Sequence, residues 1–597
     1  MVVNSKTLCD LFVLTKPIVV KRLSSLDSLV KSLNLAYLKN NQLKESISFS
    51  CATGSQSFLK DQNELRIYAR KYFKYIFLHK SYLLKQSGFE ENDQKVLNAI
   101  VLKETTYLKS VISDEVQLVN LFLKALCQRF DPHSVFLDAN ENQEWSTALS
   151  KEELSFGFDI EILENDLYKI SEMIPGGAAW NSKQVEEGDV IDQIELSNGT
   201  KYLVGIDTDK VVLDAIKSKD NMSVLFYMTK VDGLKAKVLL TKTKVEVLDN
   251  IINGYIIHKD NEKYGYIKLP SFYELDATHN GSGCSSDLAR EIIQLKKDNI
   301  QGLILDLRNN GGGYVYEALA IAGLFIDEGI LALTQVKGDK PRYLKDPNRG
   351  TVYNGKLIVL VNQYSASASE LLSGVLQKYN RAIIVGNTTF GKATMQQTLP
   401  IDSIAEINHK NSFYANVTMG KFYMINKKSH QAIGIIPDIQ IPGLFDYMQI
   451  EHESKMLYYL PSDSVIKNVD VKVAAPIEIV DLKNKSIARL KQAKWQENLK
   501  QYADTLNSYI CNDRDIVLSQ KAVYAWEESK VNYFKKESKS IIGTFTPYVI
   551  ANTTVYDSIL KGHKMYAEYN QLKIDDLKKD FRLYESINIL SDYIKQP

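Results

Sequence analysis

The chain has 597 residues, too many for one hydrophobic core, and length alone predicts about four domains. Hydrophobic residues make up 45% and charged residues 24%, the balance expected of a globular protein in water. Against 73 basic residues stand 72 acidic ones, so a formal charge of +1 argues against a nucleic-acid or membrane-surface footprint.

The five cysteines (Cys9, Cys51, Cys127, Cys284, Cys511) are odd in number and far apart, which predicts neither a disulfide framework nor a metal site. The eight histidines are scattered without an H-x-x-x-H pair, and no metal or cofactor is expected. No run of 18 apolar residues predicts a membrane-spanning helix. At the N-terminus Asp10, Lys16 and Pro17 interrupt any signal-peptide core, so no clear export signal is read there.

Residues 1–150 are expected to be mainly helical, because Leu, Tyr and Lys recur at helical spacing around 66–86 and 111–130. Asp131-Pro132-His133-Ser134 stops that helix, and His133 reads as structural. Residues 151–243 alternate short strands and turns, with one helix near 207–219. From 244 to 445 come buried runs within 264–274 and 302–326, the second leading into a helix. Between that run and its helix, Asp306-Leu307-Arg308-Asn309-Asn310-Gly311-Gly312-Gly313 lacks the Gly-Lys-Ser/Thr ending of a phosphate loop. Residues 446–597 return to helix patterns rich in Lys, Glu and Tyr.

The most informative stretch runs from Lys356 to Gln397. Leu357–Val361 has the β-branched content of a buried strand, Ser365-Ala366-Ser367-Ala368-Ser369-Glu370 opens a helix, and 382–385 is a second buried run. Strand, helix, strand predicts a parallel unit with the serines at a strand's carboxyl end, where helix N–H groups face outward. A serine hydroxyl is a weak nucleophile until a base takes its proton. No histidine lies between His279 and His409, but Lys392 follows in the turn TTFGKA, and burial would lower its pKa into the range of a general base.

The S-A-S-A-S-E run followed by F-G-K, with Lys392 placed 25 positions after Ser367, resembles the carboxy-terminal processing, or tail-specific, serine peptidases. The resemblance implies Ser367 as nucleophile, Lys392 as general base and Gln396 as the residue that orients it. It also implies an oxyanion hole from the N–H groups of Gly313, in the D-L-R-x-N-x-G-G turn, and Ala368. D-P-H-S-x-F-L at 131–137 and Gly434-Ile435-Ile436-Pro437-Asp438 resemble further family segments. Residues 151–243 resemble a PDZ domain, with Ser155-Phe156-Gly157-Phe158 in the place of its carboxylate-binding loop; Gly157 there lets successive N–H groups converge on an anion.

The expected fold is therefore α/β plus α. It comprises an N-terminal helical domain (1–150), a PDZ domain (151–243), a crotonase/ClpP-like Ser–Lys protease core (244–445) and a C-terminal helical domain (446–597). The helical flanks resemble the long Gram-negative tail-specific type. That type implies protein substrates with accessible apolar C-terminal tails, a periplasmic or envelope location with peripheral membrane association, and in some members a helical-repeat lipoprotein adaptor. Two positions depart from the family pattern: Ala393 stands where Gly usually follows the lysine, and Lys378 where relatives often carry Asp. A Ser–Lys amidase and a silent scaffold that only binds C-termini are the alternative readings.

Overall fold

The computed structural model describes residues 5–40, 45–47, 61–86, 93–150, 152–163, 167–204, 209–246, 252–274, 283–346, 349–401, 413–448, 452–510, 516–537, 548–562 and 564–596. The chain forms two compact units. One joins Met1–Cys127, Glu152–Val245 and Tyr509–Lys536; the other joins Gln128–Lys151, Glu246–Ser508 and Glu537–Pro597.

The first unit contains long helices at Ser5–Lys31, Gln62–Gln86, Asp93–Ser113 and Gln520–Glu537. Leu29, Phe73, Phe77, Leu97, Ile100 and Val523 form their common core, as the helical spacing predicts. The same unit holds an antiparallel sheet in the order Phe158–Ile162, Tyr168–Met173, Val190–Leu196, Ser223–Thr229, Lys235–Thr241, with Lys201–Leu203 paired to Val190–Leu196. Strict alternation along Ser223–Thr229 buries Val224, Phe226 and Met228 beneath the helix Asp209–Lys217, whose Val212, Ala215 and Ile216 complete the core.

The second unit is built on a seven-stranded sheet. Its order is Ile439–Gln440, Ile383–Gly386, Lys356–Val361, Gly302–Asp306, Glu262–Lys268, Gly254–Lys259, Val549–Asn552. The first five strands run parallel and the last two pair antiparallel. A parallel sheet must be covered on both faces, so its strands read as unbroken apolar runs. Leu357, Val359 and Val361 pack against Leu288, Ile292, Ile321, Leu371 and Val375 from the helices Cys284–Lys297, Val315–Gly323 and Ala368–Lys378. Ile358 and Leu360 face the other way, onto Leu482, Leu583, Ile587 and Leu590.

Those last residues come from the helices Val480–Gln492 and Phe581–Ile594. These two helices therefore cover one face of the central sheet and Val549–Asn552 adds an edge strand, while Tyr509–Lys536 belongs to the first unit, so the residues expected as one domain at 446–597 are divided between the two units. The cause of that cover is the second apolar face, which the helices between the strands leave bare. One buried ion cluster seals this docking: Arg308 pairs with Asp306 at 2.5 Å and with Asp580, the N-cap of the last helix, at 2.6 Å.

A second, antiparallel sheet in the same unit runs Arg342–Asp346, Gly329–Val336, Tyr414–Tyr423, Thr394–Pro400. Val135–Leu137 pairs with Tyr414–Asn416, which makes residues 128–151 part of this unit.

Candidate active site

Strand Lys356–Val361 ends in a turn that holds three serines, and the structure separates their roles. Ser365 Oγ donates to Leu307 O at 2.8 Å, and Ser369 Oγ donates to Asn310 O at 2.8 Å. Both are fully buried and pin the turn to the Asp306–Gly313 loop. Ser367 alone keeps solvent access. It caps the helix Ala368–Lys378 at φ 57° and ψ −112°, a strained conformation for a residue with a Cβ.

The glycines of the neighbouring loop are required by that turn. A Cβ on Gly312 would lie 2.9 Å from Ser367 Cβ and 3.1 Å from Ala368 N. A Cβ on Gly313, at φ 139°, would lie 2.3 Å from Phe272 O. Among the described residues, neither Gly313 N–H nor Ala368 N–H donates to a protein acceptor, while Tyr314 N–H and Gly312 N–H are both satisfied.

Lys392 sits in the turn before strand Thr394–Pro400. Its Nζ donates to Gln396 Oε1 at 2.6 Å and to Thr394 O at 3.2 Å. Burial lowers its pKa to about 8, opposed by the nearby charges of Glu453, Glu370 and Asp131. Among the described residues no hydrogen bond joins Lys392 Nζ to Ser367 Oγ. Ala393 fits where the family pattern has Gly: its φ is negative, it is fully buried, and its N–H donates to Gln431 Oε1 at 2.7 Å. Lys378 ends the helix that starts at Ser367, a favourable place for a cation. Anchoring there falls to Gln377, which donates to Asp438 Oδ1 and Ile436 O, each at 3.0 Å.

Glu370 joins the two turns. This fully buried carboxylate accepts from the N–H groups of Ser367 and Lys392 at 2.8 Å each, Gly391 at 2.7 Å, and from Thr389 Oγ1 at 2.5 Å. Burial raises its pKa to about 7, less than it would without those four donors. The sequence assigns Glu370 only to the run that opens this helix. The signal that could have found it is a carboxylate one helical turn beyond Ser367, on a helix face otherwise buried.

The Asp131–Ser134 turn also reaches this site, which the sequence reading did not foresee. His133 Nε2 lies 2.6 Å from Glu453 Oε2, and Glu453 Oε1 accepts from Gln431 Nε2 at 2.6 Å, the amide that holds Ala393. His430, whose Nε2 lies 3.3 Å from Lys392 O, is pushed down to about 4 by burial. No group of three His, Cys, Asp or Glu among the described residues is placed to hold a metal ion.

Ser155, Phe156, Gly157 and Phe158 lie in the other compact unit. Phe156 and Phe158 stack at 6.4 Å and both meet Phe226 edge-on. Gly157 has φ 85°, and a Cβ there would lie 2.7 Å from Gly177 Cα, so only glycine fits. Its N–H donates to Ser155 Oγ at 3.1 Å. The following strand, Phe158–Ile162, is an edge of its sheet.

Residues 263–441 match peptidase family S41. The chain is 30% identical over 331 residues to a tail-specific protease of Haemophilus influenzae, covering 55% of this chain and 46% of that protein. It thus spans about half the length of that relative. It is 26% identical over 462 residues to a probable CtpA-like serine protease of Staphylococcus aureus, covering 75% of this chain and 86% of that one. Among solved structures it is similar to the photosystem II D1 C-terminal processing protease, at 21% identity and a TM-score of 0.33, over 61% of this chain and 92% of that chain.

Proposed function

We propose that this chain, whose residues 263–441 match peptidase family S41, is a serine endopeptidase with a Ser367–Lys392 dyad, oriented by Gln396. The observation that carries this reading is the shared carboxylate of Glu370, which ties the N–H of Ser367 to the N–H of Lys392. Neutral Lys392 takes the proton of Ser367 Oγ as that oxygen attacks the scissile carbonyl. The N–H groups of Gly313 and Ala368 hold the oxyanion; rigid backbone donors suit a charge that develops only in the transition state. Lysine returns the proton to the departing amine. Water, deprotonated by the same lysine, then cleaves the acyl-enzyme and restores Ser367.

We read residues 151–243 as a PDZ domain that binds apolar protein C-termini. Support comes from the edge strand Phe158–Ile162, which among the described residues pairs on one side only, and from the glycine turn before it. Substrates are proteins with accessible tails, since nothing in this reading unfolds a folded chain. We place the protein in the bacterial cell envelope, where proteolysis proceeds without ATP, with a helical-repeat lipoprotein as candidate adaptor. Among the described residues no helix is long and apolar enough to cross a membrane.

The test is cleavage of an unfolded protein by Ser367→Ala and Lys392→Ala, with labelling of Ser367 by a serine-reactive phosphonate. Full activity in either variant refutes the dyad. Absence of both cleavage and labelling in the wild type favours a silent scaffold, and turnover of small amides alone favours an amidase. Fractionation of the native protein tests the location; recovery in the cytosol overturns it.

A further inference from the structure

The amide of Gln396 has two senses of nearly equal shape, and only one presents oxygen to Lys392. Gln396 Nε2 donates to Thr394 Oγ1 and to Thr418 Oγ1, each at 3.0 Å, while Oε1 accepts from Lys392 Nζ. A hydroxyl has one proton. Thr418 gives its proton to Asp131 Oδ1 at 2.9 Å, which leaves the Thr418 oxygen able only to accept. The amide must therefore turn its NH₂ toward Thr418 and its oxygen toward Lys392.

Asp131 is held in place for this. Buried at 5% exposure, it also accepts from the N–H groups of His133 and Ser134 at 2.9 Å and from Ser134 Oγ at 2.6 Å. Ser134 Oγ in turn accepts the N–H of Thr418 at 3.1 Å. The sheet is deformed at the same place: register shifts between Met395 and Gln396, so that Met395 pairs with Gly420 but Gln396 pairs with Thr418. Such a bulge re-aims a side chain and here sets Gln396 opposite Thr418.

We infer that Asp131, acting through Thr418, is a positioning residue that fixes the sense of the Gln396 amide and so aims the Lys392 amine. The inference rests on the Ser367–Lys392 reading and extends the site to a segment more than 230 residues before the nucleophile in the chain. An Asp–Thr–Gln–Lys chain that acts as one unit makes its members' effects strongly non-additive.

The experiment compares Thr418→Val, Thr418→Ser, Asp131→Asn, Gln396→Ala and the Thr418→Val/Gln396→Ala pair on an unfolded protein substrate. Valine keeps the shape and removes the hydroxyl, so kcat should fall about tenfold while KM holds within about twofold. Serine restores the hydroxyl and should recover kcat to within about threefold of wild type. The double variant should be no slower than Gln396→Ala alone. Asp131→Asn gives the same reading from the other end of the chain should Thr418→Val melt early. Wild-type kcat in Thr418→Val and Asp131→Asn, or a double variant slowed by the product of the single effects, overturns the inference. Ser367→Ala and Lys392→Ala run alongside: activity in either refutes the dyad and this inference with it, whereas their inactivity beside a normal Thr418→Val refutes this inference alone.

Discussion

Glu370 Oε2 accepts the backbone N–H of Lys392 at 2.8 Å, and the same oxygen accepts the N–H of Ser367. A single buried atom thus sets the spacing between the two turns. Glutamine in its place keeps one acceptor oxygen but turns an NH₂ toward Gly391 N–H and Thr389 Oγ1. The hydroxyl can rotate to accept; the N–H cannot. Glu370→Gln should therefore destabilise the fold by about 1–3 kcal/mol, the cost of one unsatisfied buried donor. It should lower kcat more than that loss of fold accounts for, as urea unfolding and steady-state kinetics on the same preparation will show.

Much of the central unit was legible in the sequence because its strands are buried on both faces. Leu357–Val361 and Leu303–Leu305 are unbroken apolar runs, and such runs point to a parallel sheet whatever surrounds them. The helix after Ser367 and the strand after it were likewise readable from periodicity. The C-terminal layer was not: helical spacing in 581–594 shows an apolar face but not its partner, and only the Arg308–Asp580 pair and the Leu583–Ile587 packing reveal it. At the site, residue types pointed to the serine cluster and Lys392, and the family resemblance singled out Ser367 and Gln396. Asp131, Thr418 and Glu453 escaped because hydrogen bonds between distant segments leave no period in the chain.

The three serines should separate in mutagenesis. Ser367→Ala should abolish cleavage while costing no more than about 1 kcal/mol, the loss of one helix-capping acceptor. Ser367→Gly should raise stability by about 1 kcal/mol, by relieving the positive φ. Ser365→Ala and Ser369→Ala each remove a buried donor to a carbonyl and should cost about 1–2 kcal/mol while leaving a measurable kcat. Loss of phosphonate labelling in Ser369→Ala but not in Ser367→Ala would reverse this ranking.

Lys392 gives activity and stability the same pH sign. A base must be neutral, so kcat/KM should rise with pH through about 8 and level off above it. Glu453, Glu370 and Asp131 act on the ammonium, and His430 faces the Lys392 carbonyl; burial lowers the lysine pKa and the acids raise it. Because the folded pKa lies below the usual 10.5, the unfolded chain holds the extra proton between about pH 8 and 10.5, and this group makes the fold more stable as pH rises through that window. Lys392→Met removes the buried charge and should stabilise the protein at pH 7 by on the order of 1–3 kcal/mol while abolishing activity. A destabilised Lys392→Met, measured by urea unfolding at pH 7 and pH 10, would mean that the ammonium is held by its acids rather than strained by burial.

The glycine turn at Gly157 offers a test of tail recognition that leaves the peptidase unit untouched. Gly157 has φ 85°, and a Cβ there would meet Gly177 Cα at 2.7 Å and Gly177 C at 3.0 Å, both backbone atoms that have no rotamer to yield. Gly157→Ala must therefore shift the turn and the N–H groups around it, disturbing the proposed carboxylate site without altering any charge. Two versions of one unfolded substrate, with a free and an amidated C-terminus, isolate the carboxylate. The wild type should cleave the free form about tenfold faster at limiting concentration, a difference of the size expected for a charge-assisted contact. Gly157→Ala should bring the two rates together by slowing the free form, with the amidated form unchanged. Equal rates for both substrates in the wild type would show that the carboxylate is not read, and would leave an endopeptidase that selects its substrates by unfolded sequence alone.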